Sequence, residues 1–218
     1  MRAARASEPK SGGKRALILE AALQRFSHYG FRRTSMEDIA QEAGVSRAAV
    51  YMHFRNKEEV FRALARELHS RAIGEVAQAA SAEGTVAERI ERALAAKRTT
   101  FYGIVHATAH AAEIIDENSR LCGDISAEFR EQHLELLREV IESAARRGEL
   151  SPARAGLSAA DGAELLMDSA KGIESSGRGE LSPALYARRV AQLVRVVVLG
   201  LGGDVAHPAP ARHQRARR

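Results

Sequence analysis

The sequence has few of several residue types, and each scarcity excludes a class of protein. Its 218 residues include one cysteine, Cys122, which excludes an internal disulfide framework and suits a reducing cytoplasm. Aromatic residues make up 5% of the chain and prolines number 5, which favours an all-α fold. The longest apolar run, residues 196–201, is far shorter than the ~20 residues of a membrane-spanning helix, and no apolar signal segment follows the basic start. We therefore expect a cytoplasmic protein without a membrane partner.

Positive charge is concentrated near the N-terminus. Residues 1–66 carry 13 Lys or Arg against 7 Asp or Glu, a net charge of +6. Residues 67–203 carry 16 against 20, and residues 204–218 carry 4 against 1. A basic N-terminal part joined to an acidic body indicates a polyanionic partner for the N-terminal part alone. Charge by itself fits an ordinary solvated surface equally well, so the inference needs a motif.

Residues 35–57 supply such a motif, because they predict two short helices separated by a glycine turn. Ser35 precedes an apolar periodic run and has a carboxylate three residues later, as an N-cap does. Gly44 lies where the first helix must end in a left-handed conformation. Ser46 then caps a second helix that begins at Arg47. This spacing is typical of a helix-turn-helix, whose second helix enters the major groove, although helical hairpins in protein cores share the local pattern.

The segments on either side of the motif decide between these two interpretations. An amphipathic helix precedes the motif, and Asn56 caps a further helix after it. The segments that carry a resemblance are Ile18–Phe26, Gly30–Ala40, Ala43–Ser46 and Val50–Phe61. With them, residues 15–68, about a quarter of the chain, resemble the N-terminal DNA-binding domain of the TetR/AcrR family of bacterial transcription regulators. The resemblance implies a three-helix DNA-binding head and a variable helical body that binds a small molecule and dimerises.

The second helix of the motif carries the predicted DNA contacts. Arg47, at its N-terminal end, is long enough to donate a bidentate pair of hydrogen bonds to guanine O6 and N7. Small side chains follow it and let the helix lie deep in the groove, and neighbouring hydroxyl, imidazole and ammonium donors suit phosphate oxygens. Together with the resemblance, these features predict DNA contacts at Thr34, Ser46, Arg47, Ala48, Ala49, Tyr51, Met52, His53 and Lys57.

Some of these positions have alternative roles. Thr34 is expected to bond a phosphate through its hydroxyl at a helix N-terminus. Met52 stands where many family members have a second aromatic residue or an arginine, so no polar contact is expected from it. Core packing is the alternative for Tyr51, and a hydrogen bond within the head is the alternative for His53.

The chain is expected to divide into four regions. They are a disordered basic arm at 1–13, the helix-turn-helix domain (the head) at 14–60, a helical effector-binding and dimerisation domain at 61–202 and a disordered basic tail at 203–218. Helices beyond the motif are predicted at about 57–80, 85–103, 105–117, 121–147, 158–176 and 182–201, which makes about nine in total. The arm is suited to following phosphates or entering a minor groove, and weak nonspecific attraction is the alternative.

No sharp motif marks the effector pocket, which the resemblance places in the helical body. The candidate lining residues fall within 85–147 and are Phe101, Tyr102, Val105, His106, Ala109, His110, Ile114, Cys122, Ile125 and Phe129. Most are also ordinary core residue types. His106, His110 and Glu113 share one helical face, which His133 could approach, and that spacing can bind a transition metal. A polar pocket wall and structural histidines are the alternatives, and neither a metal nor a cofactor is predicted.

The last two helices carry the predicted dimer surface. Its residues are Leu165, Leu166, Ser169, Gly172, Ile173, Leu193, Val194, Val197, Val198 and Leu201. By itself a stripe this broad is more typical of a monomer core, but the resemblance implies a four-helix interface between two copies.

These features predict a dimeric, ligand-responsive regulator that binds a specific DNA sequence. We expect a repressor that a small apolar or amphipathic inducer releases from a palindromic operator. An activator or a corepressor-dependent regulator with the same fold is the alternative, and a helical protein–protein module is a second one. An enzyme is not expected, because the sequence has no phosphate-binding glycine loop, no serine elbow and no metal motif with a full set of ligands.

Overall fold

The computed structural model describes residues 11–105, 108–175 and 181–203, with side chains at 13–98, 108–175 and 181–203. Over this part of the chain the fold is all-α, as predicted. The helices are α1 (Ser11–Tyr29), α2 (Met36–Glu42), α3 (Arg47–His53), α4 (Lys57–Ser81), α5 (Val86–Val105), α6 (Ala111–Leu121), α7 (Gly123–Arg146), α8 (Ala159–Glu174) and α9 (Pro183–Gly200). A short 3-10 helix, Pro152–Ala155, precedes α8. None of the described helices is long and apolar enough to cross a membrane.

The chain forms two compact units. The first comprises residues 1–72 together with 99–129, and the second comprises residues 73–98 together with 130–218. This division differs from the predicted domains, because α6 and the start of α7 belong with the N-terminal helices rather than with the rest of the body. Helix α4 is continuous from Lys57 to Ser81 and therefore contributes to both units.

The core of the first unit is built around three phenylalanine rings. The ring centroids of Phe26 and Phe31 are 5.5 Å apart, and both lie within 5.3–5.6 Å of the Phe61 ring in tilted or edge-on arrangements. Cys122 and Ile125 are buried in this same core, so the junction of α6 and α7 completes it. The three N-terminal helices are therefore not a free-standing core in this structure.

The turn between α2 and α3 has the local geometry that the sequence predicts. The Ser35 hydroxyl accepts a hydrogen bond from the Asp38 N–H, and the Asp38 carboxylate accepts one from the Ser35 N–H, which confirms the N-cap as a full capping box. Gly44 has a φ of +64°, a left-handed conformation that favours glycine. The Ser46 hydroxyl accepts a 3.1 Å bond from the Ala49 N–H and begins α3. These contacts fix the angle at which α3 leaves α2.

The second unit is held together by apolar residues from α4, α5, α7, α8 and α9. Ile90, Leu137, Ile141, Leu166 and Val194 are fully buried in its core. Helix α8 begins at a second capping box formed by Ser158 and Asp161.

Helix α5 ends at Val105, close to its predicted end, and one predicted helix is displaced along the chain: the helix predicted at 105–117 is α6, Ala111–Leu121. It ends late because the Cys122 N–H donates to the Asn118 carbonyl and because Glu58 and Glu117 hold Arg120 in the last turn. Helix α1 begins at Ser11, inside the predicted disordered arm. Residues 1–10 and 204–218, which cover the rest of the predicted arm and most of the tail, lie outside the described residues.

Candidate nucleic-acid interface

Helix α3 presents most of its side chains to solvent. Val50 is the one buried residue of this helix, and Phe54, directly after the helix, is also buried in the core of the first unit. On the other side the Arg47 side chain is 64% exposed, and Tyr51 and Met52 are 43% and 84% exposed. A seven-residue helix anchored on one face and open on the other has the form that enters a major groove.

The Arg47 guanidinium is held by two neighbours. Its Nε lies 3.7 Å from Oε2 of Glu37 on α2, and its central carbon lies 5.5 Å from the centroid of the Tyr51 ring. A hydrogen bond with Tyr51, and then the Glu37 charge, raise the pKa of Arg47. Arg47 is therefore partly oriented at the start of α3, where the sequence predicts base contact.

The Lys57 ammonium is half-buried and binds carbonyl groups of the protein itself, whereas the sequence predicts a contact with a DNA phosphate. Its Nζ donates to the carbonyl oxygens of Phe31 at 2.6 Å, Thr34 at 2.8 Å and Arg32 at 3.3 Å. The ammonium also lies 4.4 Å from the centroid of the Phe31 ring, and burial lowers the pKa of Lys57. An ammonium group has three N–H donors, and three carbonyls account for all of them. Lys57 thus links α4 to the turn between α1 and α2, residues 30–35, which we call the α1–α2 corner.

Thr34 is also turned inward, contrary to the prediction. Its side chain is buried and its hydroxyl donates a 2.7 Å hydrogen bond to the Gly30 carbonyl. The other predicted positions lie on or beside the exposed face: Ser46 and Ala48 are exposed, and Ala49 and His53 are half-buried. Contact between these residues and DNA stays a prediction.

A set of ion pairs and hydrogen bonds, which the sequence analysis did not find, joins the head to α6 and the start of α7. The Arg32 N–H donates a 2.7 Å bond to Glu113 Oε1. Glu117 is buried and lies 2.8 Å from Arg120 Nε and 3.7 Å from Arg32 Nε. The two contacts of Arg32 connect residues more than 80 positions apart, and only the Glu117–Arg120 spacing has a local sequence signal.

Arg62 makes the second connection to this segment. It binds Asp124 through two hydrogen bonds of 2.8 and 2.6 Å, and it also donates to the Leu121 carbonyl. This bidentate pair holds the pKa of Asp124 well below its usual range. The pair fastens α4, just beyond the end of the head, to the start of α7.

The predicted pocket residues are found in several environments. Cys122, Ile125 and Phe129 are buried in the first unit, where the Phe129 ring lies 4.8 Å from the His69 ring, and Ile114 is half-buried against the same core. Ala109 is exposed, whereas His110 is half-buried with its Nδ1 3.8 Å from Glu113 Oε2. The side chains of Phe101, Tyr102 and Val105 and the whole of His106 lie outside the described part. The pocket itself stays a prediction.

Three of the four residues of the alternative metal site, His110, Glu113 and His133, lie within the described residues. His133 is buried in the second unit, where burial and the nearby Lys97 charge lower its pKa to about 4, whereas His110 belongs to the first unit. Within the described residues, no group of three or more His, Cys, Asp or Glu side chains is placed to hold a metal ion.

The predicted dimer residues divide into core and surface. Leu166, Val194, Val198 and Leu201 are buried in the core of their own protomer, so they are not free to contact a partner. Ser169, Ile173, Leu193 and Val197 are half-buried, and Leu165 and Gly172 are exposed. Two residues absent from the prediction, Val196 at 70% and Leu199 at 50% exposure, extend this surface. The face available to a partner is therefore displaced from the predicted stripe towards Val196 and Leu199.

Sequence comparisons agree with the geometry of the head. Residues 18–64 match the family model described as "Bacterial regulatory proteins, tetR family". The chain is 51% identical over 55 residues to the HTH-type transcriptional regulator TtgR of Pseudomonas putida. This match covers 25% of the chain and 26% of TtgR. The chain thus matches its curated relatives over about a quarter of their length.

Comparisons of the fold extend over most of the chain. A transcriptional regulator from Cytophaga hutchinsonii has a TM-score of 0.71 at 18% identity, covering 86% of this chain and 97% of that one. SmeT, the repressor of the Stenotrophomonas maltophilia multidrug efflux pump SmeDEF, has a TM-score of 0.59 at 22% identity, covering 90% and 97%. A SmeT–triclosan complex has a TM-score of 0.54 at 22% identity, covering 91% and 99%. At these identities the likeness shows the fold.

A glycine turn that presents α3 outward, with an all-α body behind it, defines a helix-turn-helix protein. The matched head carries the helix-turn-helix domain of the tetR family of bacterial regulatory proteins, and the chain as a whole has the fold of solved TetR-family regulators.

Proposed function

We propose that the protein is a transcriptional repressor that binds a palindromic operator as a homodimer and leaves it when a small molecule binds the body. The exposed face of α3 supports this proposal most directly, because Val50 anchors the helix while Arg47, Tyr51 and Met52 extend from it. Arg47 would read a guanine, and Tyr51 and Ser46 would donate to phosphates.

Dimerisation is part of the proposal because a short helix reads few bases. Two heads related by a twofold axis would meet half-sites about 34–36 Å apart, or a multiple of that distance. The exposed apolar residues of α8 and α9, Leu165, Val196 and Leu199, support a partner on that face.

The effector would act through the contacts that join the head and α4 to α6 and the start of α7. The Arg32–Glu113 and Arg62–Asp124 contacts bring the head and residues 113–124 into one compact unit. A ligand that displaced α6 would break or move these contacts and so change the position of the head. A hundredfold release from DNA requires a ligand that binds the DNA-incompetent state about a hundredfold more tightly than the other.

Selection from a random duplex library tests the proposal. We expect the protein to enrich a palindromic sequence, to protect such a sequence beside its own gene in a footprint and to sediment as a dimer. Triclosan is a suitable first ligand, because SmeT has the same fold and forms a complex with it. A protein that enriches no sequence, or that remains monomeric on DNA, would contradict the proposal. A ligand that strengthens binding would instead identify a corepressor.

A further inference from the structure

Helix α2 carries an acidic residue at the edge of the proposed DNA-binding face. Glu37 is the second residue of α2, its side chain is 64% exposed, and its Oε2 lies 3.7 Å from Arg47 Nε. The other two carboxylates of α2 have different partners: Asp38 completes the capping box and lies 3.1 Å from Arg25, and Glu42 lies 3.6 Å from Arg25. Of these three carboxylates, Glu37 is the one that pairs with α3.

A carboxylate at this place has an electrostatic cost. DNA phosphates repel it, so it opposes binding to every sequence. Helix stability alone does not require it, because Asp38 already supplies a negative charge and a cap in the first turn of α2. Its pairing with the base-reading candidate therefore suggests a role in recognition.

The geometry of the ion pair leaves the base-reading edge of Arg47 available. A guanidinium has five N–H donors in a planar fork, and a bidentate bond to guanine can use the Nη1–Nη2 edge. Glu37 approaches from Nε, and the central carbon of the guanidinium lies over the Tyr51 ring, 5.5 Å from the ring centroid. A side chain that is already held in the free protein loses less rotamer freedom when it binds a base.

We propose that Glu37 is a specificity-determining positioning residue, which aims the Nη1–Nη2 edge of Arg47 at a guanine and weakens binding to DNA that lacks one. On a cognate site the oriented Arg47 compensates for the repulsion between Glu37 and the phosphates. On any other sequence the repulsion remains without that compensation. This inference rests on the proposed function, because it requires α3 to read bases.

Glu37→Gln tests the inference on two duplexes, the sequence that the wild type enriches and a scrambled sequence of equal length. We expect affinity for the scrambled duplex to rise about three- to tenfold and affinity for the enriched duplex to change little, because the lost repulsion and the lost orientation of Arg47 offset each other there. The preference, the ratio of the two affinities, should therefore fall about three- to tenfold. Glu42→Gln is the matched control, because it removes the same charge from α2 but from a partner of Arg25, and it should leave the preference unchanged.

Two further variants separate positioning from simple repulsion. Glu37→Asp keeps the charge but shortens the side chain. If Glu37 positions Arg47, the preference should fall in this variant; if Glu37 only repels phosphates, the preference should stay as in the wild type. In an Arg47→Ala background, Glu37→Gln should no longer change the preference, because its target is absent. A reduction that persists in that background would overturn the inference, as would an unchanged preference in Glu37→Gln.

A measurement without DNA examines the pair itself. The Arg47 Nε–H resonance of the free protein, identified by its loss in Arg47→Lys, should shift in Glu37→Gln and not in Glu42→Gln. An unmoved resonance would overturn the inference. If the wild type enriches no sequence, the proposed function fails and the inference fails with it. If enrichment is normal and Glu37→Gln leaves the preference unchanged, the inference alone fails.

Discussion

The backbone N–H of Arg32 donates a 2.7 Å hydrogen bond to Glu113, although 81 positions separate the two residues in the sequence. Gly30 makes this approach possible: its φ is +82°, and a Cβ at that position would collide with Glu113 Oε2 and lie 3.2 Å from His110 Nδ1. The glycine that ends α1 therefore serves both the turn and the docking of α6.

Gly30→Ala should destabilise the protein more than Gly44→Ala. Both glycines have a positive φ, and the left-handed conformation costs alanine about 1–2 kcal/mol at either position. A Cβ at Gly44 would have no neighbour within 4 Å, whereas one at Gly30 would displace Glu113 and its hydrogen bond to Arg32, adding about 1–3 kcal/mol. Urea unfolding of the two variants measures the difference. Equal free energies of unfolding would mean that α6 does not dock at Gly30.

Lys57→Met should lower the free energy of unfolding by about 2 kcal/mol, because three carbonyl groups lose a shared ammonium donor. Arg55→Met removes an exposed cation nearby and should change stability by no more than about 0.5 kcal/mol. The salt dependence of DNA binding distinguishes the internal role from the predicted phosphate contact. We expect the same slope for Lys57→Met and wild type. A slope reduced by about one ion in Lys57→Met would mean that Lys57 does contact a DNA phosphate.

Asp38→Asn should destabilise the protein at neutral pH but not in acid. The hydrogen bonds from Ser35, and then the Arg25 charge, lower the pKa of Asp38 in the folded state. A carboxyl with a lowered folded pKa stabilises the protein above its unfolded pKa of about 4, and this contribution is lost as the pH falls through the folded pKa. We expect a deficit of about 1 kcal/mol at pH 7, because the neutral amide loses the negative charge beside the helix N-terminus and the ion pair with Arg25, and this deficit should shrink below about pH 4. A deficit independent of pH would mean that the ionised cap is not responsible.

Val196→Glu should separate the dimer while leaving each protomer folded. Val196 is 70% exposed on α9, so a charge there costs little in a monomer but would be buried and unpaired in an α8–α9 interface. We expect the dimer dissociation constant to rise on the order of a hundredfold in sedimentation equilibrium. Ala127→Glu adds the same charge on the exposed side of α7 and should leave the constant unchanged. A dimer unaffected by Val196→Glu would place the interface elsewhere.

The sequence predicts the parts of this fold that local chemistry controls. Ser35, Gly44 and Ser46 act within a few residues of their own positions, so the turn can be inferred from their spacing. The outward face of α3 also requires the flanking helices and the family resemblance. Lys57 shows the limit of that inference. A lysine beside a DNA-binding helix predicts a phosphate contact, and only the folded α1–α2 corner brings three carbonyl groups to its ammonium.

The body is predicted less well for the same reason. Cys122 and Ile125 have the apolar character expected of a pocket wall, but residue type does not say which core they join, and the structure places them with the head. Likewise the apolar residues of α9 form one stripe in the sequence, and only packing separates buried Val194 from exposed Val196.

Arg47→Ala provides the most direct test that α3 reads DNA bases. The measurement is the affinity of wild type and variant for the enriched and the scrambled duplex at one salt concentration. We expect the variant to lose about 1–3 kcal/mol on the enriched duplex, with a much smaller loss on the scrambled one. A variant that distinguishes the two duplexes as well as the wild type does would contradict the assignment of α3 as the base-reading helix.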